Sequence, residues 1–269
     1  MGVRPEPVER DARGIIDPET GLTRFRLDRY APSASVARFV DRYWVASWDL
    51  TGREPYTQRV LAHPVVNVVF TGGAATVHGP ATEVTPRRLE GEGWALGVMF
   101  RPAGFRPFLG RPMSGIVDTA LPVSEVFAGE EFPGEPGPLM AAVDRALADR
   151  LPEGRHPSED TRDVVERVAA DPTVVGATAL AANEGVGVRL LQRRFADHVG
   201  LGPKTVIRRY RLYEAAERAR RGAPPDWARL AAELGFSDQS HLTREFTAVI
   251  GVPPARYAAL GRSGGRAAG

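Results

Sequence analysis

Apolar residues along this chain follow two rhythms. Between Phe25 and about Arg101 they come in short runs with partial alternation, the spacing of strands. Residues 43–50 (Tyr-Trp-Val-Ala-Ser-Trp-Asp-Leu), 65–70, 74–78 and 94–101 each read as a strand, and Thr71-Gly72-Gly73 reads as a turn. Inside this β text, Val36, Phe39 and Val40 are spaced as a short amphipathic helix over residues 35–42. A second short helix is expected over residues 103–109, after Pro102 and ending at Gly110. The period then lengthens. Leu139, Val143, Leu147 and Leu151 recur every four residues, as one face of a helix. From residue 158 to about Leu260 the pattern stays helical, with Gly and Pro only at the joints.

These rhythms divide the chain. A flexible arm is expected over residues 1–20, a sensing or dimerisation domain over 21–131, a hinge and linker helix over 132–157, a helical domain over 158–260 and a disordered tail over 261–269. The fold class is α+β with two domains: a small β-sheet or barrel with added helices, then an all-α domain. The Leu139 stripe is either a dimer seam or a surface packed on its own domain.

In the helical domain, a single segment occurs twice. Leu180-Ala181-Ala182-Asn183-Glu184-Gly185-Val186-Gly187 returns as Leu230-Ala231-Ala232-Glu233-Leu234-Gly235-Phe236-Ser237, and Leu191, Phe195, Gly200 and Pro203 return as Leu242, Phe246, Gly251 and Pro254. In each copy a small residue (Ala181, Ala231) permits close helix approach. A glycine four residues later (Gly185, Gly235) supplies the left-handed conformation that ends the helix. A second helix follows, with Ser237 placed as its N-cap in the second copy. Helix, glycine turn, amphipathic helix is the helix-turn-helix pattern, whose second helix enters the DNA major groove. The bland alternative is a helical repeat that touches no DNA.

The residues from Leu234 through Phe246 to Gly251-Val252-Pro253-Pro254-Ala255-Arg256-Tyr257 resemble the signature of AraC/XylS-type transcription regulators. Leu190-Leu191-Gln192-Arg193-Arg194-Phe195 and Gly200-Leu201-Gly202-Pro203-Lys204 resemble the same family's first unit. The resemblance covers residues 158–260. It implies seven helices, with two helix-turn-helix units joined by a long helix over residues 203–221 and reading successive major-groove faces. It also implies base contacts by Arg189, Gln192 and Arg193 in the first unit and by Gln239, Ser240 and Arg244 in the second, since Arg pairs with guanine and Gln with adenine. Lys204, Arg208 and Arg209 on the joining helix are the expected backbone contacts. Gly187 stands where the family usually has a capping Ser or Thr, and Val206 where an aromatic is common; both departures weaken the first unit.

Charge agrees with this division. The formal net charge is only +2, yet residues 161–269 hold 17 Lys+Arg against 11 Asp+Glu, while the rest of the chain is net acidic. Double-stranded DNA is therefore the expected partner. RNA polymerase, a second copy of the chain and an unknown small-molecule effector are further candidates. Trp44, Trp48, His63, Phe70, Trp94 and Phe100, with His78, either line an effector pocket or fill the N-terminal core. The N-terminal segments around Tyr30, Asp41-Arg42-Tyr43-Trp44 and Met99-Phe100-Arg101-Pro102 resemble a domain common in regulators of unknown effector.

Composition removes other classes. Hydrophobic residues make up 43% and charged residues 25%, which is globular. The chain has no cysteine, which excludes thiolate catalysis, Cys-ligated zinc and iron–sulfur centres and suits a reducing cytoplasm. There is no Gly-x-Ser-x-Gly, His-Glu-x-x-His or P-loop, and the five histidines lack metal-ligand spacing, so no catalytic residue, cofactor or metal is expected. No signal peptide or membrane span is visible, and the expected location is the cytoplasm. A regulator without a small-molecule effector, and more remotely an enzyme built on the N-terminal domain, remain the rival readings.

Overall fold

The computed structural model describes residues 7–8, 18–59, 63–84, 86–220 and 225–263. Most of the expected N-terminal arm, and the tail from residue 264, lie outside these. The strands are β1 (Pro7–Val8), β2 (Arg26–Tyr30), β3 (Val40–Asp49), β4 (Tyr56–Arg59), β5 (Asn67–Thr71), β6 (Ala75–His78), β7 (Pro86–Leu89), β8 (Glu92–Phe100) and β9 (Ala120–Pro122). Seven form one antiparallel sheet in the order β1-β2-β3-β8-β5-β6-β9, and β4 pairs with β7 in a separate ribbon. Helices α1 (Pro18–Gly21), α2 (Arg106–Leu109) and α3 (Pro136–Ala148) complete the N-terminal domain.

The two faces of the sheet differ in kind. Tyr43, Val68, Phe70, Val77, Leu96, Val98 and Phe100 point to one side and bury against Leu139, Met140, Val143, Ala146 and Leu147 of α3. The Tyr43 hydroxyl donates to Asp144 Oδ1 at 2.8 Å, so α3 is fixed by a half-buried polar contact as well as by apolar burial. Helix α3 thus belongs to the N-terminal core, which corrects the expected linker helix. Its leucine stripe is spent inside the domain and is not a dimer seam. Its last turn ends at Ala148, short of Leu151.

Two short helices are shorter than the apolar spacing predicts. Residues 36–38 make a single 3-10 turn, and β3 already begins at Val40 because Val40 pairs with Phe100 across the sheet. Helix α2 starts only at Arg106, since Ala103 takes a positive φ of 60° that a helix excludes. Register shifts between Val40 and Arg42 on β3, a bulge. That one extra residue keeps Val40 on the core side while Arg42, Trp44, Ala46 and Trp48 turn to the other face.

The C-terminal domain is all helical: α4 (Pro157–Ala170), α5 (Ala177–Asn183), α6 (Val188–His198), α7 (Pro203–Arg220), α8 (Trp227–Glu233), α9 (Gln239–Ile250) and α10 (Pro254–Ser263). The last helix runs into the expected tail by three residues. Two apolar clusters lie along α7. Leu191, Phe195, Val206 and Ile207 belong to one, and Leu212, Leu230, Leu242 and Phe246 to the other. No helix among the described residues is long and apolar enough to cross a membrane.

The two domains meet through arginines of the first and acids of the second. Arg38 contacts Glu159 at 2.6 Å, Arg101 contacts Glu166 at 2.7 Å and Arg106 contacts Asp197 at 2.9 Å.

Candidate DNA interface and effector cavity

The repeat seen in the sequence is closed by the same backbone bonds in both copies. Gly185 N donates to Ala182 O and Val186 N to Ala181 O; Gly235 N donates to Ala232 O and Phe236 N to Ala231 O. This is the paired bonding of a Schellman cap, and both glycines take the left-handed conformation it needs, at φ 64° and 75°. Gly235 has a second reason to lack a side chain: a Cβ there would lie 2.7 Å from Cβ of Val175. Ala181 and Ala231 are buried under the crossing helices.

Helices α6 and α9 follow these turns. Leu191, Phe195, Leu242 and Phe246 face inward and are buried. Arg189, Gln192 and Arg193 on α6, and Gln239, Ser240 and Arg244 on α9, are exposed. Among the described residues, Arg189 and Arg193 form no hydrogen bond or ion pair. The α9 cap is Asp238 rather than Ser237; its carboxylate accepts from His241 N at 2.7 Å, which holds its pKa below the usual range. Ser237 Oγ instead lies 2.9 Å from Nδ1 of His241. On α6 the N-cap is Gly187, with no side-chain bond to the helix start.

The expected backbone contacts separate. Lys204 is exposed at the start of α7. Arg208 is half-buried and paired with Glu245 of α9 at 3.1 Å. Arg209 is buried and donates to the Thr82 carbonyl of the N-terminal domain at 2.8 Å, so it does not stand outward as a backbone contact requires. Arg221 lies outside the described residues. Arg211, fully buried on the same helix, donates to the Val168 carbonyl, and burial lowers its pKa.

The open face of the large sheet and the β4–β7 ribbon above it border a half-open cavity of about 1500 Å³. Trp44, Trp48 and His63, which the sequence leaves between a pocket and the domain core, line it. Phe70 and Phe100 do not: strand alternation puts them in the core under α3, where they are buried. Trp94 borders the cavity but is in register with Leu96 and Val98 and packs on that core. Sequence reasoning missed Arg29, Arg42, Gln58, Asn67 and Arg87, which also line the cavity. The period-two run Arg42, Trp44, Ala46, Trp48 was the available signal. Burial, then the nearby Arg42 charge, pushes His63 down to about 4, and burial with Arg87 lowers His78. Both shifts favour the neutral imidazole.

Residues 180–259 match a family described as a helix-turn-helix domain, and residues 28–122 match a domain of unknown function, DUF6597. No curated protein matches the chain. Among solved structures, ToxT from Vibrio cholerae is similar at 12% identity and a TM-score of 0.41, over 89% of this chain and 99% of that one. ToxT bound to (E)-4-(8-methylnaphthalen-1-yl)but-3-enoic acid gives 11% and 0.43, over 88% and 99%. At these identities and scores the likeness assigns no ligand to this chain.

Proposed function

We propose that this chain, a DNA-binding transcription regulator with an AraC-type helix-turn-helix domain, reads successive major-groove faces of one operator with its two units. On this reading a small molecule in the N-terminal cavity modulates that binding. Arg189, Gln192 and Arg193 read bases from α6, and Gln239, Ser240 and Arg244 from α9, because these side chains stand outward at the N-terminal turns of helices that follow the two glycine caps. Lys204 adds a phosphate contact, and Arg208 does so only by leaving Glu245.

The observation that carries the reading is the duplicated hairpin, whose first helix is closed by the same backbone bonds in both copies, with cationic and amide side chains exposed on both second helices. Fluorescence anisotropy of the full chain against duplexes selected from a random pool, over a salt series, tests it. One enriched sequence, with log affinity falling linearly in log salt, is expected. Salt-sensitive binding without an enriched sequence would reduce the protein to a non-specific binder, and no binding by folded protein would overturn the reading.

A further inference from the structure

The cavity's own chemistry narrows what enters it. Two tryptophans lie flat on the sheet floor. Trp44 is opposite Gly97 and Trp48 opposite Gly93. A Cβ at Gly97 would fall inside the contact shell of the Trp44 indole, and one at Gly93 would lie 2.5 Å from the Trp48 ring. Each ring therefore has one face on a glycine, and both rings line the cavity, Trp48 packing also against Phe25, Leu50 and Leu89. Neither has a donor to spare: Trp44 Nε1 donates to Asn67 Oδ1 at 3.3 Å and Trp48 Nε1 to the Glu90 carbonyl at 3.2 Å. What the indoles offer a ligand is a flat π surface.

Polar recognition falls to other groups, and they gather at one end. Along the sheet, Arg42 is paired with Met99, Met99 with Asn67, and Asn67 with His78, so one row crosses the floor from Arg42 to His78. Arg29, buried, stands opposite Trp44 on β2. Arg87 reaches His78 at 3.2 Å from the roof. The acids of the lining, Asp49 and Glu92, are paired with each other in register at the far end, beyond Trp48; at the near end Asp41, outside the lining, accepts from Arg42 Nε at 2.5 Å, which leaves the two terminal nitrogens of Arg42 without a partner among the described residues. Near that end Phe25, Leu50 and Leu89 are buried together, with Leu27 and Ala46 against them. On the roof, Gln58 is buried with its Oε1 lacking a hydrogen-bond partner among the described residues, while its Nε2 donates to the Arg59 carbonyl at 2.6 Å.

We propose that the cavity binds a planar aromatic carboxylate: its rings stack on Trp44 and Trp48, and its carboxylate meets Arg29 and Arg42. The proposal deepens the effector reading above and rests on it. A guanidinium fork matches a carboxylate in geometry and charge. The flat indole faces favour a rigid ring system over a flexible chain, which loses more rotamer freedom on binding.

Calorimetry and thermal shift of the full chain with three probes test this: indole-3-carboxylate, the neutral indole-3-carboxamide and octanoate. The carboxylate should bind more tightly than the other two by about tenfold or more, the scale of one charge-assisted hydrogen bond. Arg42→Gln should shrink the preference for carboxylate over carboxamide, Arg29 still facing the group, and a far-UV circular dichroism spectrum equal to wild type shows that the variant is folded. Trp44→Leu should weaken both ring probes together. Carboxamide or octanoate binding as well as the carboxylate would overturn the proposed class and leave the cavity a ligand site. If none of the three binds, the class is again overturned, and a screen of neutral and cationic metabolites then decides the effector reading by itself.

Discussion

The imidazole of His63 rests on the phenol ring of Tyr213, with ring centroids 4.9 Å apart. His63 lines the cavity and Tyr213 belongs to α7, the helix between the two helix-turn-helix units. Neighbouring contacts reinforce the link, because Arg209 on α7 donates to the Thr82 carbonyl beside the cavity wall and Val84 packs into the α7–α9 cluster. Whatever shifts His63 thus pushes on the element that sets the relation of α6 to α9. Coupling between such sites is typically on the order of 1–3 kcal/mol and is reciprocal. We expect Tyr213→Leu to bring the ratio of DNA affinities, with and without indole-3-carboxylate, toward one. A ratio equal to wild type would place the coupling elsewhere, Arg209–Thr82 being the next contact to break.

Base reading is testable one arginine at a time. Arg193→Ala and Arg244→Ala should each cost about 1–3 kcal/mol on the selected operator and relax specificity at one base pair. An equal loss on every duplex would reassign the residue to phosphate.

Glu245 makes the opposite prediction. It is an acid on α9 that occupies Arg208 at 3.1 Å and lies 3.9 Å from His241 Nε2. Replacing it with Gln removes a repulsion toward phosphates and releases Arg208. DNA affinity should rise, and the salt slope should steepen by about one counterion. A slope and affinity unchanged from wild type would show that Arg208 does not reach the backbone even when free.

Much of this architecture was legible in the sequence, and the failures share a cause. The duplicated hairpin could be read because a Schellman cap and an i, i+4 apolar pair are local, and both recur in the text. The cavity was half legible. Trp44 and Trp48 stand out by type, but Phe70 and Phe100 are equally aromatic, and only pairing register says that they face α3. Register itself was hidden by the bulge at residues 40–42, which reverses the facing of Val40 relative to Arg42. The linker helix failed for a related reason. A four-residue apolar stripe shows that a helix is covered and does not say by what.

Capping separates the two units in stability. Gly187 has an ordinary φ of −72° and nothing within 4 Å of where its Cβ would stand, so serine fits without strain. Gly187→Ser should stabilise α6 by a few tenths of a kcal/mol, roughly the difference between Ser and Gly at an N-cap. Asp238→Ala should lower the melting temperature by more than Gly187→Ser raises it, since alanine is a far poorer cap than glycine. The contrast is read from paired thermal unfolding curves. A larger effect at Gly187 than at Asp238 would mean that the glycine carries a role other than capping.

The last prediction concerns acid. His63 is half-buried, with Asp41, Arg42, Arg29 and Arg209 near enough to act on its charge, and its pKa in the folded chain is about 4. In the unfolded chain it is about 6.5. Between those values the unfolded state binds more protons, so stability rises with pH across this window. His63's contribution is complete above about pH 6.5 and is lost as pH falls toward 4, by on the order of 1–2 kcal/mol for a partly exposed ring. His63→Phe keeps a ring against Tyr213 and cannot titrate. Its unfolding free energy, measured in urea at pH 7.5 and 5, should therefore fall less than that of the wild type. It should still fall somewhat, because His78, His156 and His198 are lowered in the same direction, each chiefly by burial. An identical fall in both proteins would show that His63 keeps its ordinary titration, and with it enough water to stay charged beside Tyr213.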